Sequence, residues 1–113
     1  YNNKIKKLLN SLKKINKKVC AIGAAPRGCV LLNTSNLSKR NIDFVGEVQG
    51  SFKIKKLIPG TNILIKNENT ILTDQPDFVI ILAWHLKNRL IQSLKKRGYI
   101  GKFIVPLPKI EIL

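Results

Sequence analysis

Chemically reactive side chains are scarce in this chain of 113 residues. It has one histidine, His85, two cysteines, and six acidic residues against 21 lysines and arginines. A Ser-His-Asp set, a pair of catalytic carboxylates and a cluster of metal ligands all need more of these residues than the chain offers. We therefore expect neither a catalytic residue nor a metal site in this chain.

The two cysteines, Cys20 and Cys29, fall in different predicted elements, and His85 is distant from both in sequence. Disulfide frameworks are typical of small secreted chains that cannot build a sufficient core. Here 44% of the residues are apolar, which suits a single domain with its own core. We therefore expect two buried, reduced thiols in a cytoplasmic protein.

Long apolar runs are also missing. None approaches the roughly 20 residues that a membrane-spanning helix needs. The first turns are rich in lysine and lack the continuous apolar segment of a signal peptide. These two observations lead us to expect no membrane contact. The chain begins with Tyr1 and not with methionine, so we also expect it to be a piece of a longer protein.

Few acids leave a net charge of +15, which attracts anionic ligands and acidic partners in a salt-dependent way. Nucleic-acid sites favour arginine forks and exposed aromatic rings. This chain has four arginines, and most of its aromatic residues lie in apolar runs. Lysine, asparagine and isoleucine are abundant together, as in a coding sequence rich in A and T. Nucleic acid is therefore the less favoured partner.

Residues 3–18 predict an amphipathic helix, with apolar residues at three- and four-residue steps. The stripe contains Ile5, Leu8, Leu9, Leu12 and Ile15. We expect residues 1–18 to form a helix that packs on a domain of residues 19–113. A membrane-surface helix is the alternative, but the stripe has no Trp or Phe.

The rest of the chain alternates short apolar runs with helical patterns. Strands are predicted at 19–22, 42–45, 62–65, 78–83 and 102–105, and helices at 29–36 and 86–97. Right-handed crossovers build this order into an α/β fold, a Rossmann-like parallel sheet of about five strands with helices on both faces. The strands that begin at Val19 and Phe78 would lie side by side at its centre.

Gly23-Ala24-Ala25-Pro26-Arg27-Gly28 forms the turn after the first strand. A helix that begins there offers backbone N–H groups to a phosphate, and Arg27 adds a forked donor. Glu47 follows about 20 residues later, where dinucleotide folds keep the acid that binds ribose hydroxyls. The segment is not GxGxxG, so a purely structural tight turn remains the alternative.

Trp84 and His85 follow the apolar run that begins at Phe78. At the carboxyl end of a central strand, Trp84 could stack on a base or sugar, and His85 could donate a hydrogen bond or carry a proton. The structural alternative is that Trp84 wedges a helix against the sheet and His85 caps a backbone carbonyl.

Five ordered segments resemble the C-terminal domain of SAM-dependent sugar C-methyltransferases. They are VCAIGAAPRGCVLLN at 19–33, IDFV at 42–45, LIPGT at 57–61, PDFVIILAWHL at 76–86 and GKFIVPLP at 101–108. The resemblance implies a parent enzyme with an upstream zinc-binding domain and a central domain for S-adenosylmethionine. Its C-terminal domain would be Rossmann-like and would help to form the cleft for a nucleotide-linked keto-deoxysugar, which is methylated on a carbon beside the carbonyl.

The chain departs from this family after the second strand, where the usual Pro and the usual Lys-Gln-Gly are missing. His85 and Cys29 stand where Asn is usual. The substrate-binding residues that we expect are Gly23, Ala24, Ala25, Arg27, Gly28, Asn33, Glu47, Trp84 and His85. Two other functions remain open: a stand-alone nucleotide- or NAD-binding regulatory module, and a basic module that binds nucleic acid or protein.

Overall fold

The elements of the computed structural model follow the predicted alternation. It describes residues 2–23, 26–48, 50–51, 53–58, 60–107 and 109–113, without the side chains of residues 2, 3, 26 and 27. The helices are α1 (Asn2–Lys14), α2 (Pro26–Thr34), α3 (Asn69–Asp74) and α4 (Lys87–Lys96), and a 3₁₀ turn spans Trp84–Leu86. The strands are β1 (Val19–Ile22), β2 (Val45–Glu47), β3 (Ile65–Asn67), β4 (Phe78–Ile81), β5 (Lys102–Val105) and β6 (Glu111–Ile112).

Among the described residues, all the strands belong to one sheet of six strands, in the order β3-β2-β1-β4-β5-β6. Strands β1 to β5 pair in parallel, and β6 pairs antiparallel with β5. Val19 of β1 pairs with Phe78 of β4, which confirms that these two strands lie side by side. The sixth strand was not predicted, because the prolines around residue 107 cannot continue a sheet and the chain pairs again only at Glu111.

Two apolar clusters cover the two faces of the sheet. Alternate residues of a strand point to opposite faces, so Val19 and Ala21 join one cluster while Cys20 and Ile22 join the other. Helices α1 and α2 contribute to the first cluster, and α3 and α4 contribute to the second. Both faces therefore carry helices, as the sequence predicts.

Helix α1 buries Ile5 and Leu9 completely, so the predicted stripe packs on the sheet. Ile15, which was expected on that stripe, is 62% exposed. The helix ends at Lys14 because Asn16 has a left-handed φ of +60°, which turns the chain towards β1. Within the part of the chain that the structure describes, no helix is long and apolar enough to cross a membrane.

The second and third strands lie slightly later in the chain than predicted. Asp43 N–H donates to Val19 O at 2.9 Å and Phe44 O accepts from Ala21 N–H at 3.0 Å, so residues 42–44 already run beside β1 before β2 begins. The segment between β2 and Ile58 contains no strand among its described residues. Its described residues form turns, and Leu57 makes an isolated antiparallel bridge to Leu64.

Candidate functional site

The ends of the parallel strands bring Gly23, Glu47 and Trp84 to one side of the sheet, here called the carboxyl edge. Ile22 pairs with Gly46 of β2 and with Ile81 of β4. The next residues in each strand are therefore neighbours, and Gly23 N–H donates to Gly46 O at 3.1 Å. Strand order also reverses between β1 and β4, and open α/β sheets bind ligands at such a reversal.

Gly23 makes the turn after β1 by adopting a φ of +89°, which is costly for any residue with a Cβ. It also lies against the chain that leaves β4: a Cβ on Gly23 would be 2.9 Å from Ala83 Cβ. The two predicted turns are thus in direct contact at the carboxyl edge. Ala24 and Ala25 lie outside the described residues, as does the side chain of Arg27, whose backbone belongs to the first turn of α2.

Gly28 lets the beginning of α2 pack closely on Leu82, the residue that follows β4. A Cβ at this position would lie 2.7 Å from Leu82 Cβ and 3.4 Å from Gly23 O. Leu82 and Ala83 are both buried, so side chains fill the space directly between the two turns. A ligand at this edge must therefore lie over the turns and not between them.

Glu47 ends β2 on the same edge and is half-buried. Its backbone carbonyl accepts a 2.7 Å hydrogen bond from the N–H of Glu68, the residue directly before α3. Cys29 of α2 lies close enough to Glu47 and Lys53 to sense their charges. Burial raises the pKa of its thiol, the Lys53 ammonium lowers this pKa, and the Glu47 carboxylate raises it further. Glu47, Lys53 and Cys29 therefore share the α2 side of the edge.

Trp84 and His85 lie in the 3₁₀ turn between β4 and α4. Trp84 is half-buried and packs with Leu90 and Ile91 against the cluster on the α4 face, which is the contact that the structural alternative requires. His85 is exposed. The indole therefore has a packing role, and its accessible part is available to a ligand.

An open depression of ≈ 470 Å³ lies beside this turn. Its lining consists of Trp84, His85, Leu86, Lys87, Asn88, Arg89 and Leu107. Lys87 Nζ is 3.9 Å from Glu111 Oε1, which ties the first turn of α4 loosely to β6. Two cations, an amide and an indole around one depression can bind phosphate oxygens and support a ring.

Sequence reasoning missed Lys87, Asn88 and Arg89, because polar residues on a helix usually form its solvated face. Their position, immediately after a strand and turn of the carboxyl edge, is the signal that could have found them. Lys53 was missed because its segment has no clear periodicity.

Asn33 does not join the residues that line this depression. It lies in the last turn of α2, where its Nδ2 donates to Cys29 O at 2.9 Å. Its Oδ1 faces Gly60, and a Cβ on Gly60 would collide with it. The side chain of Asn33 thus lies between α2 and the turn at Gly60.

Metal ligation has no support among the residues that the structure describes, where no group of three or more His, Cys, Asp or Glu side chains could hold an ion. Cys20 and Cys29 are both free thiols, buried and half-buried respectively. Burial, with Asp43 and Asp74 adding to it, also raises the pKa of Cys20.

The described residues form an α/β domain, and the candidate site lies at the carboxyl edge of its sheet. By sequence, the chain belongs to the family of C-methyltransferase C-terminal domains, which matches residues 1–108. It is similar to C-methyltransferase NovU of Streptomyces niveus, with 29% identity over 112 residues, 96% of this chain and 26% of that protein. The chain therefore spans about a quarter of this relative, and the predicted family resemblance is confirmed.

Proposed function

We propose that the chain forms the nucleotide-sugar-binding part of a SAM-dependent C-methyltransferase that acts on a carbon of a nucleotide-linked keto-deoxysugar. Its membership of the C-methyltransferase C-terminal domain family carries this proposal. The strand order 3-2-1-4-5-6 supports a Rossmann-like sheet, although β6 is antiparallel. The free thiols support a cytoplasmic location, where cysteines stay reduced.

The two halves of the carboxyl edge have different tasks in this proposal. On the α2 side, the backbone N–H groups at the start of the helix and Arg27 bind phosphate oxygens, and Glu47 receives ribose hydroxyls. On the α4 side, Lys87 and Arg89 add positive charge beside Trp84. Because Gly23 and Ala83 are in contact, one extended ligand can reach both halves.

S-adenosylmethionine, held in an upstream domain, would supply the methyl group to the carbon beside the sugar carbonyl. The base that removes the proton, and the zinc site, are also expected upstream. The residues of this chain bind the nucleotide, orient the sugar and cover one side of the cleft from water. This division explains why a chain with one histidine and six acids can belong to an enzyme.

Steady-state kinetics of the full-length enzyme test this assignment. Arg27→Ala and Arg89→Ala should each raise the KM for the nucleotide sugar about tenfold or more, because each removes a charge-assisted hydrogen bond to phosphate. The KM for S-adenosylmethionine should not change. Arg40→Ala is the matched control, since it removes the same charge from a depression at the other end of β1.

If Arg27→Ala and Arg89→Ala raise the KM for S-adenosylmethionine as much as the KM for the nucleotide sugar, the proposal is contradicted. Measurable binding of NAD by the 113-residue chain, together with unchanged kinetics in both variants, would support the regulatory module instead.

A further inference from the structure

The amino ends of the strands, opposite the carboxyl edge, carry a second charged depression with a volume of ≈ 360 Å³. Five of its lining side chains are cationic, and we call these the basic edge: Lys13, Lys17, Lys18, Lys39 and Arg40. Asp43 is the one carboxylate among the described residues that line it. Because these cations line one depression, their potentials add there.

The end of α1 and two loops build the basic edge, and polar contacts hold them together. Lys13 Nζ donates to Arg40 O at 2.7 Å, and Asn41 Nδ2 donates to Asn10 Oδ1 at 2.8 Å, so the loop before β2 is tied to α1. Lys18 N–H donates to Asp77 Oδ2 at 2.7 Å, which anchors the loop before β1 to the start of β4. The cations thus project from a backbone whose position is fixed.

The positive surface continues along the amino ends of β4 and β5. A neighbouring depression of ≈ 430 Å³ shares Lys17 with the basic edge and adds Lys102 and Ile100. Ile100 is 87% exposed. Asp77 is the carboxylate in this lining, and it already accepts the hydrogen bond from Lys18 N–H.

We propose that the basic edge is a docking surface for a protein whose contact surface is rich in aspartate and glutamate. A second copy of this chain is a poor occupant, because the net charge of +15 repels its own kind. The described lining of the basic edge has no aromatic ring, so the bases of a nucleic acid have no platform on which to stack. The ring in the neighbouring depression, Phe78, packs against the core.

Lysine also suits carboxylates at this surface. Four of the five cations are lysines, whose flexible ammonium groups bind as point charges and do not need the paired geometry of arginine with phosphate. The exposed side chain of Ile100 offers such a partner an apolar contact at the rim. This surface is independent of the proposed methyltransferase site, because it lies at the opposite ends of the same strands.

Fluorescence anisotropy with a labelled peptide of ten glutamates tests the proposal on the 113-residue chain. Two triple variants lose the same charge: Lys17→Gln/Lys18→Gln/Arg40→Gln removes it from the basic edge, and Lys4→Gln/Lys7→Gln/Lys96→Gln removes it from exposed positions elsewhere. We expect the first triple to weaken peptide binding about tenfold and the second about twofold, since each lost exposed pair contributes a small free energy.

Equal losses in the two triples would overturn the proposal, because the peptide would then sense only the net charge. A decamer of deoxythymidylate serves as the nucleic-acid probe. If it binds more tightly than the glutamate peptide and is selectively weakened by the first triple, the basic edge is a nucleic-acid surface and the proposal is wrong. Thermal unfolding of both triples verifies that the variants are folded.

Discussion

Gly23 and Ala83 hold the two turns of the candidate site in contact, with only 2.9 Å between a Cβ built on Gly23 and the Cβ of Ala83. Gly23 N–H also donates to Gly46 O, so the same residue bonds to β2 on its other side. These two contacts fix the turn after β1 relative to β2 and to the chain that leaves β4. In the proposed function, this contact preorganises the surface over which the nucleotide sugar lies.

Gly23→Ala should lower the free energy of unfolding by about 2–4 kcal/mol, because strain at a positive φ and a clash with Ala83 add together. Urea unfolding measures the change. Gly98→Ala is the matched control: its φ is +109°, but a Cβ there meets nothing within 4 Å among the described residues, so only the strain remains.

The double variant Gly23→Ala/Ala83→Gly separates the two causes. It should recover part of the stability that Gly23→Ala loses, since the nearest atom to the new Cβ is then absent. A Gly23→Ala loss no larger than that of Gly98→Ala would show that the two turns are not in close contact.

Tyr99→Phe should cost about 1–3 kcal/mol of unfolding free energy, because it removes a buried hydroxyl between two backbone carbonyls. Tyr99 is 3% exposed, and its O–H lies 2.9 Å from Pro76 O and 3.1 Å from Lys102 O. The edge-on contact with Phe103, at 5.2 Å between ring centroids, should survive the substitution. Urea unfolding that shows no loss would show that these two contacts of the hydroxyl do not stabilise the fold.

Alkaline pH should destabilise the fold through Cys20, whose burial raises its pKa in the folded state. The unfolded chain loses the thiol proton first, above a pKa of about 8.5. The contribution of the Cys20 thiol to the free energy of unfolding is therefore complete below that pH and is lost as the pH rises. Between pH 8.5 and 10, the loss from this one group should approach about 2 kcal/mol at 1.36 kcal/mol per pH unit.

Cys20→Ala isolates that contribution. Its free energy of unfolding at about pH 8.5 should be lower than that of the natural chain, because the substitution leaves a small cavity. Over the same pH range, however, this free energy should fall less steeply than that of the natural chain. Parallel curves from urea unfolding at several pH values would show that Cys20 is not the group responsible.

The sequence was sufficient to predict the two central strands of the sheet but not its edge strand β6. Four-residue apolar runs and glycine turns predict β1 and β4 as neighbours, since strands buried on both faces have few alternatives. Strand β6, only Glu111–Ile112, forms because β5 offers it an unpaired edge, and two residues carry too little pattern to reveal it. Ile15 fits the helical period of α1 but lies beyond its end.

Part of the candidate site was likewise predictable. Gly23, Gly28 and Glu47 stand at the carboxyl edge, where their spacing places them. Lys87 and Arg89 could not be separated from ordinary surface residues until β4, the 3₁₀ turn and Leu107 formed one depression. Periodicity reports which side chains are buried, whereas a concave surface depends on how distant segments pack.

Hydrogen–deuterium exchange of the full-length enzyme, with and without saturating thymidine diphosphate or uridine diphosphate, tests the central claim most directly. We predict that the nucleotide protects backbone amides in two segments of this chain, residues 23–34 and 82–92, because the ligand lies over both turns of the carboxyl edge. Protection confined to residues 13–18 and 38–43, at the basic edge, or no protection within this chain from either nucleotide, would contradict the account.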